Sequence, residues 1–432
     1  MHHKIIGLII VAVSLALPLI WLPPLAAKHD TIALFSQYLG MQALIAMALG
    51  QIIATRLGFV EHIFGGLDRS YILHKWLGIG AMVAILLHDT IDAEMDGLGR
   101  NTLLIEVAET AGEISLYGFL IFVVITIATF IPYHLWRWTH RVIGGFFILS
   151  AFHFLFILKP FSNGDPLGLY VSAFCALGIL AFAYKAAPSW IRRSSTYEVT
   201  DITQSGQATA ITMKPVKRHM KYRAGQFAFV TFAKSGLSEP HPFTISKAPD
   251  NSGNIRMSVS PLGDYTRVLK TKLELGTIAH IEGPFGRFER KLDAKPQIWI
   301  AAGIGITPFI AWAQTLTDND GPITLIYSVR NASDATHLDA LKRIERKVQN
   351  FKIILHETQS SARLSAKDIL SQINADTVGT KIYFCGPKSM RKDLATSLAS
   401  HGISARQFHY EEFEIRSGIG LRALGENLLK RL

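Results

Sequence analysis

Nearly all the long apolar runs of this 432-residue chain fall in its first 190 residues. Six of them, near 5–23, 33–55, 71–90, 116–136, 141–159 and 167–186, approach the roughly 20 residues that a helix needs to cross a bilayer. In lipid a spanning segment must satisfy its own backbone N–H and C=O groups, so the pattern predicts a membrane all-α six-helix bundle. The first run shares features with a secretory signal, with basic Lys4 before it and small residues up to Ala27. Its apolar core is long for a signal, and it reads as a retained anchor.

Two of the predicted helices carry histidine pairs: His74 with His88, fourteen residues apart, and His140 with His153, thirteen apart. At about 1.5 Å of rise per residue the members of a pair are separated by roughly 20 Å. Each helix therefore places two imidazoles near opposite edges of a hydrocarbon core about 30 Å thick. Intramembrane histidines are costly and usually functional; bonding to neighbouring hydroxyls and carbonyls is the plain alternative for any one of them. If the helices run parallel, His74 faces His140 and His88 faces His153, an arrangement for two stacked b-type haems with two axial imidazoles each. Fourteen residues return His88 to within roughly 40° of the face of His74, whereas thirteen leave His153 about 140° from His140. An irregularity is therefore expected at Gly144-Gly145, between the second pair.

Charge sets the orientation. Lys4, Arg56, Arg69, Lys75, Arg137, Arg141, Lys185, Arg192 and Arg193 fall on one side of the predicted spans, against Lys28, Arg100 and Lys159 on the other. Positive loops stay inside, so the sequence predicts an integral protein of the cell (inner) membrane with both termini cytoplasmic. The net charge of +11 follows from these anchors and a basic cytoplasmic half, and no feature points to nucleic acid. The two cysteines, Cys175 in a span and Cys385 beyond it, are not expected to pair. The connection from Asp89 to Glu113 is strongly acidic, either a lid that concentrates a cationic acceptor or an ordinary solvated loop.

Beyond Trp190 the texture changes to short alternating segments, 196–202, 208–213, 226–232, 255–260 and 278–282, which read as an antiparallel β-barrel. From Gln297 apolar strands alternate with helical stretches, which implies an α/β parallel sheet. The turn after its first strand, Ala302-Gly303-Ile304-Gly305-Ile306-Thr307-Pro308, suits a pyrophosphate at a helix amino end, although proline stands where a dinucleotide fingerprint has its third glycine. A plain strand-to-helix turn is the alternative.

Together with the histidine pairs, the segments His241-Pro242-Phe243-Thr244-Ile245-Ser246, Gly283-Pro284-Phe285-Gly286, Gly303 to Pro308 and Cys385-Gly386-Pro387 make the chain resemble the ferric reductase and NADPH oxidase family over nearly its whole length. The resemblance implies a six-span haem domain over 1–190, an FAD-binding β-barrel over 195–292 and an NADPH-binding domain over 293–415. Residues 416–432 would then be a basic amphipathic tail, on the lipid surface or against the bundle. It also implies that His241, Pro242, Phe243 and Thr244 run along the flavin, with Ser246, Ser260 and Thr266 toward its phosphates. Gly303, Gly305, Thr307 and Pro308 would bind the nucleotide, with Cys385, Gly386 and Pro387 beside the nicotinamide. The family places an aromatic ring near the chain end against the flavin, and Phe413 is the candidate with Tyr410 in reserve. Arg330 suits a 2′-phosphate, which would select NADPH, or else a rim salt bridge. Lys75 and Arg141 follow inner-haem ligands and suit either propionates or simple anchoring. The function so implied is electron transfer from cytoplasmic NADPH through FAD, the inner haem and the outer haem to dioxygen or ferric iron outside. Delivery to a partner protein is the alternative.

Overall fold

The computed structural model describes residues 2–91, 98–100, 102–127, 133–187, 194–291, 295–372 and 379–411. They form two compact units, divided after Ala187.

The first unit is a helix bundle. Helix α1 (His2–Ala16) runs through a 3-10 turn into the short α2 (Pro23–Ala26), and together they make the first span, Ile6–Ala26. The other spans are carried by α3 (Thr31–Ala54), α5 (Leu67–Thr90), α6 (Leu103–Ile127), α7 (Tyr133–Phe156) and α8 (Pro166–Ala186), with the short α4 (Gly58–Phe64) between the second and third. Asp30 caps α3 by accepting the Ile32 and Ala33 N–H groups at 2.9 and 2.8 Å. Helix α3 is the most enclosed of the six, 56% buried over its apolar window against 33% or less for the rest. It packs on α5 and α8, while α7 packs on α6.

Two expectations are corrected here. The fourth span begins at Leu103, well before the expected 116, so Glu106, Glu109 and Glu113 lie exposed on α6 instead of in a loop. Glu106 lies in the first turn, where the dipole favours a carboxylate, and the 106, 109, 113 spacing sets all three glutamates on one exposed face of the helix. Residues 92–97 of the acidic connection lie outside the described residues. The irregularity expected at Gly144-Gly145 is absent, since α7 is continuous α-helix from Tyr133 to Phe156. Gly144 has another use: a Cβ there would meet the Phe182 ring of α8 at 2.2 Å, so glycine allows the two helices to approach.

The second unit opens with an antiparallel sheet of β1 (Ser194–Ser205), β2 (Ala208–Pro215), β3 (Phe227–Phe232), β4 (His241–Thr244), β5 (Ile255–Val259) and β6 (Ile278–Phe285), with α9 (Asp264–Lys272) between the last two. Its order is β4-β3-β6-β1-β2-β5, and the edges β4 and β5 are joined only by the Ile245–Met257 bridge. The expected barrel is therefore an incompletely closed six-stranded sheet. Edge strand β4 is four residues long and contains Pro242, which has no N–H to offer a further neighbour.

A five-stranded parallel sheet follows, built from β7 (Gln297–Ala302), β8 (Ile323–Val329), β9 (Phe351–Glu357), β10 (Lys381–Cys385) and β11 (Phe408–Tyr410) in the order β11-β10-β7-β8-β9. Helices α10 (Thr307–Ala313), α11 (Leu338–Glu345), α12 (Ala366–Leu370) and α13 (Lys388–Ser400) alternate with the strands. Helix α10 is buried throughout, and its Trp312 donates Nε1–H to the Ala224 carbonyl at 3.0 Å, fastening the second sheet to the first. At the other end of this seam Arg290 pairs with Asp320, their side chains only 7% and 9% exposed.

Burial raises the Asp320 pKa, but the Arg290 hydrogen bond and the Thr317 main-chain N–H outweigh it and hold the carboxyl below its ordinary value. A depressed folded pKa stabilises the protein above the unfolded pKa of about 3.9, and that contribution fades as pH falls through the folded value. Asp320→Asn leaves Arg290 buried without its counter-charge and is expected to cost about 3 kcal/mol near neutral pH. In thermal unfolding of the detergent-purified chain, the deficit against wild type should shrink on acidification.

Candidate functional site

The membrane unit brings the four histidines together in two pairs' worth of positions on α5 and α7. His74 and His140 have ring centroids 6.0 Å apart, with their planes at 67°. Two metal–nitrogen bonds of about 2 Å plus the inner halves of two imidazoles span roughly that distance, so an iron fits between these rings. The rings are held from behind. His74 Nδ1 lies 3.0 Å from the Gly50 carbonyl, His88 Nδ1 2.9 Å from the Ser36 carbonyl and His153 Nδ1 2.9 Å from the Ala108 carbonyl. A carbonyl only accepts, so each Nδ1 carries the proton and each Nε2 keeps its lone pair for a metal. Ser36 Oγ also lies 2.9 Å from His88 Nδ1 and donates to the His88 carbonyl at 3.0 Å. His140 instead meets Thr126 Oγ1 at 3.4 Å and stacks on Trp136 at 5.1 Å.

Glycines make these bonds possible. A Cβ at Gly40 would stand 3.2 Å from the His88 ring, one at Gly50 3.4 Å from His74 Nδ1, and one at Gly112 2.7 Å from His153 Nδ1. Ser36, Gly40, Gly50, Ala108 and Gly112 were not singled out by sequence reasoning. A signal was present: Ser36 and Gly50 are fourteen residues apart, the same spacing as His74 and His88 on the neighbouring helix. Among the described residues no three His, Cys, Asp or Glu side chains converge to hold a bare metal ion. Two imidazoles per site match a group that brings its own equatorial nitrogens, which a haem does. Of the two cations expected near propionates, Lys75 lies over the Trp76 ring at 5.8 Å and Arg141 is exposed.

In the second unit His241, Pro242, Phe243 and Thr244 are strand β4, and His241 stacks on Tyr265 of α9 at 3.5 Å. Phe243 is half-buried, and Thr244 and Ser246 are buried. The Ser246 hydroxyl is fully enclosed, donating to the Arg256 carbonyl at 3.1 Å beside Ser258 Oγ at 2.9 Å. This hydroxyl, expected near the phosphates, is engaged within the protein. The adjacent Arg256 guanidinium, which sequence reasoning did not single out, donates to the Ser246 carbonyl. Thr266 Oγ1 accepts the Gly263 N–H at 3.0 Å, so it braces the amino end of α9, close in sequence to half-buried Ser260.

The two nucleotide motifs meet because β7 and β10 are neighbours, with Ala301 opposite Cys385. Gly303 is exposed at φ 55°, with open space where a Cβ would be, as close phosphate approach requires. A Cβ at Gly305 would sit 2.1 Å from the Cys385 carbonyl, so the turn lies directly on the Cys385-Gly386-Pro387 segment. Thr307 Oγ1 donates to the Ile304 carbonyl at 3.1 Å and Pro308 occupies the first turn of α10. Cys385 is 0% exposed, and burial, then nearby Glu411, pushes its thiol pKa well up; it is a neutral packing group. Glu411 Oε1 would also lie 2.9 Å from a Cβ at Gly286, so the segment after β11 reaches both the Cys-Gly-Pro and Gly-Pro-Phe-Gly segments. Arg330 is exposed at the end of β8 and among the described residues forms no ion pair. Phe413 and residues 416–432 lie outside the described residues; Tyr410 ends β11 under the Arg391 guanidinium at 4.1 Å.

A helix bundle with paired intramembrane histidines, followed by an antiparallel and a parallel sheet, is the architecture of a membrane-bound flavin reductase. Residues 39–151 match the ferric reductase like transmembrane component, 197–289 an FAD-binding domain and 299–396 an oxidoreductase NAD-binding domain. In that order they give the chain the domain architecture of the ferric reductase and NADPH oxidase family. The chain is 34% identical over 148 residues to the heme-dependent oxidative N-demethylase beta subunit of Ectopseudomonas mendocina, which covers 34% of this chain and 45% of the relative. It is 24% identical to the 2-halobenzoate 1,2-dioxygenase electron transfer component of Burkholderia cepacia, over 55% of this chain and 73% of that protein. The flavohem-like FAD/NAD binding domain of a Vibrio cholerae nitric oxide dioxygenase aligns at TM-score 0.45 and 22% identity, over 51% of this chain and 98% of the domain.

Gly112→Ala forces the His153 ring off the Ala108 carbonyl. Where the histidine pairs hold haem, the purified variant is expected to bind about half as much as wild type, counted by pyridine haemochromogen, because a misaligned imidazole weakens one site. Gly58→Ala, where a Cβ would meet nothing within 4 Å, should bind the full amount.

Proposed function

We propose that this protein is a transmembrane oxidoreductase that takes electrons from cytoplasmic NADPH and delivers them to a small acceptor on the far side of the membrane, either dioxygen, giving superoxide, or ferric iron. Bound FAD would convert a hydride into single electrons, and two b-type haems would supply the path through the lipid. The observation that carries the reading is the 6.0 Å apposition of His74 and His140, with Nδ1 of His74, His88 and His153 fixed on helix carbonyls.

Each residue has a defined part. His74 and His140 would hold the inner haem and His88 and His153 the outer one, with His74, His88 and His153 oriented by their carbonyl bonds. Phe243 and Thr244 lie along the flavin ring and ribityl chain, and Arg256 together with the amino end of α9 meets the pyrophosphate. Gly303 and Gly305 admit the nicotinamide dinucleotide, and Arg330 is free to pair with a 2′-phosphate and so to favour NADPH. Cys385, Gly386 and Pro387 form the wall beside the nicotinamide. The surplus of cations on the loops of one face supports cytoplasmic termini. Exposed Glu106, Glu109 and Glu113 near the opposite end of the bundle favour a cationic acceptor such as a ferric chelate.

A second reading, delivery to a partner protein, is favoured by the relative named an electron transfer component. Purified protein given NADPH separates the readings: superoxide-sensitive dye reduction or ferrous-chelate formation supports a small acceptor, and neither product supports a protein one. His88→Ala is expected to leave flavin reduction by NADPH unchanged while abolishing external reduction in proteoliposomes. External reduction at the wild-type rate would refute the proposed path.

A further inference from the structure

His337 stands between Arg330 and α11 and has a left-handed backbone, φ 61°, shared among described non-glycine residues only with Arg56. That conformation costs a non-glycine residue about 1 kcal/mol or more, so the surroundings must impose it. They are specific. The His337 N–H donates to Ser205 Oγ at 2.8 Å, and its Nε2 lies 2.7 Å from Ser258 Oγ. Ser258 Oγ in turn lies 2.9 Å from Ser246 Oγ. The three side chains are enclosed, with Ser246 0%, Ser258 4% and His337 8% exposed. Alongside, Gly206 at φ 56° brings the β1–β2 turn so close that a Cβ would sit 2.6 Å from the Asp334 carbonyl, and Gln207 donates to Asp334 Oδ1 at 2.7 Å.

A buried row of one imidazole and two hydroxyls thus runs from the parallel-sheet half into the antiparallel-sheet half. It begins in the segment that follows Arg330 and ends on the residue that closes the His-Pro-Phe-Thr-Ile-Ser motif. A buried hydroxyl deprived of its partner costs about 1–3 kcal/mol, so the row is satisfied only when the two halves are seated in one register. Burial and the neighbouring Arg256 push the His337 pKa down to about 3, which keeps the imidazole neutral at working pH.

We propose that His337 is a positioning residue: through Ser258 it locks the Arg330 segment onto the Ser246 end of the flavin-side motif, and so fixes the reach between nicotinamide and flavin. The inference rests on the reading of those motifs as the nucleotide and flavin sites. His337→Gly removes the imidazole and relieves the left-handed strain, so it separates positioning from folding. His337→Gln keeps an amide that can reach Ser258.

In the full-length detergent-purified chain His337→Gly is expected to retain FAD and the wild-type KM for NADPH. Stopped-flow flavin reduction at saturating NADPH should slow about tenfold, and His337→Gln should recover most of the rate. Ser258→Ala should give a similar loss, and the double variant little more, as expected for one coupled row. A second readout uses the flavin-stripped chain: amide hydrogen exchange should accelerate together at 332–337 and 255–259 in His337→Gly and return toward wild type in His337→Gln. Unchanged flavin reduction and exchange in His337→Gly would overturn the proposal, as would a loss confined to KM or to FAD content. Wild-type protein that takes up no FAD would instead sink the functional reading and the flavin role of His337 with it.

Discussion

The structure of the membrane unit depends on one interaction, an imidazole N–H held by a main-chain carbonyl inside an apolar bundle. A histidine in such surroundings has a hydrogen to place and no water to place it on. The carbonyls of Gly50, Ser36 and Ala108 take it for His74, His88 and His153. The bond satisfies a buried donor and, by fixing the tautomer, also aims the opposite nitrogen away from the supporting helix. Structural and chemical demands are met by one contact. Glycine is most needed at Gly112, where a Cβ would meet the ring at 2.7 Å, and it eases the fit at Gly40, whereas at Gly50 a Cβ would make only an ordinary contact.

The same economy operates in the second unit, where the ligand motifs are also packing elements. Gly305 is needed because the turn rests on the Cys385 carbonyl, and Thr266 braces the helix end that it was expected to expose to phosphate. Trp312 is at once core of the parallel sheet and donor to Ala224 of the antiparallel half. Such a seam allows two sheets of opposite type to hold one register, which the proposed hydride transfer between nicotinamide and flavin would require.

Much of this was legible in the sequence because membrane helices and histidine spacing are strong periodic signals. The six spans and the parallel sheet could be read directly, whereas the meeting of the Gly303 and Cys385 motifs was implied only by the family resemblance. What could not be read was set by partners distant in the chain. The identity of the carbonyls behind the histidines depends on helix pairing, which spacing alone does not specify. Strand β4 was hidden because Pro242 argues against a strand and is tolerated here only at an edge. The start of α6 was misplaced because three glutamates look like a loop until their spacing is seen to put them on one exposed face of a helix. The contact of Arg256 with Ser246 was invisible because the two approach through the turn of the chain between β4 and β5, ten residues apart.

The thirteen-residue spacing on α7 carries the last step. A continuous helix cannot present His140 and His153 on one face, and α7 is continuous. The mismatch is absorbed by the partners instead of the backbone. His153 turns onto the Ala108 carbonyl beside Gly112, whereas His140 meets a hydroxyl, Thr126, and the stacked face of Trp136. His74 and His88, on nearly one face of α5, both find main-chain carbonyls of a single helix, α3. The two histidines of α7 therefore differ in hydrogen bonding where those of α5 agree. Hydrogen bonding to an imidazole that holds a metal tunes the basicity of its other nitrogen. Under the proposed function, the unequal spacing would therefore make the two sites unequal without breaking the helix, and a path for electrons in one direction calls for such a difference.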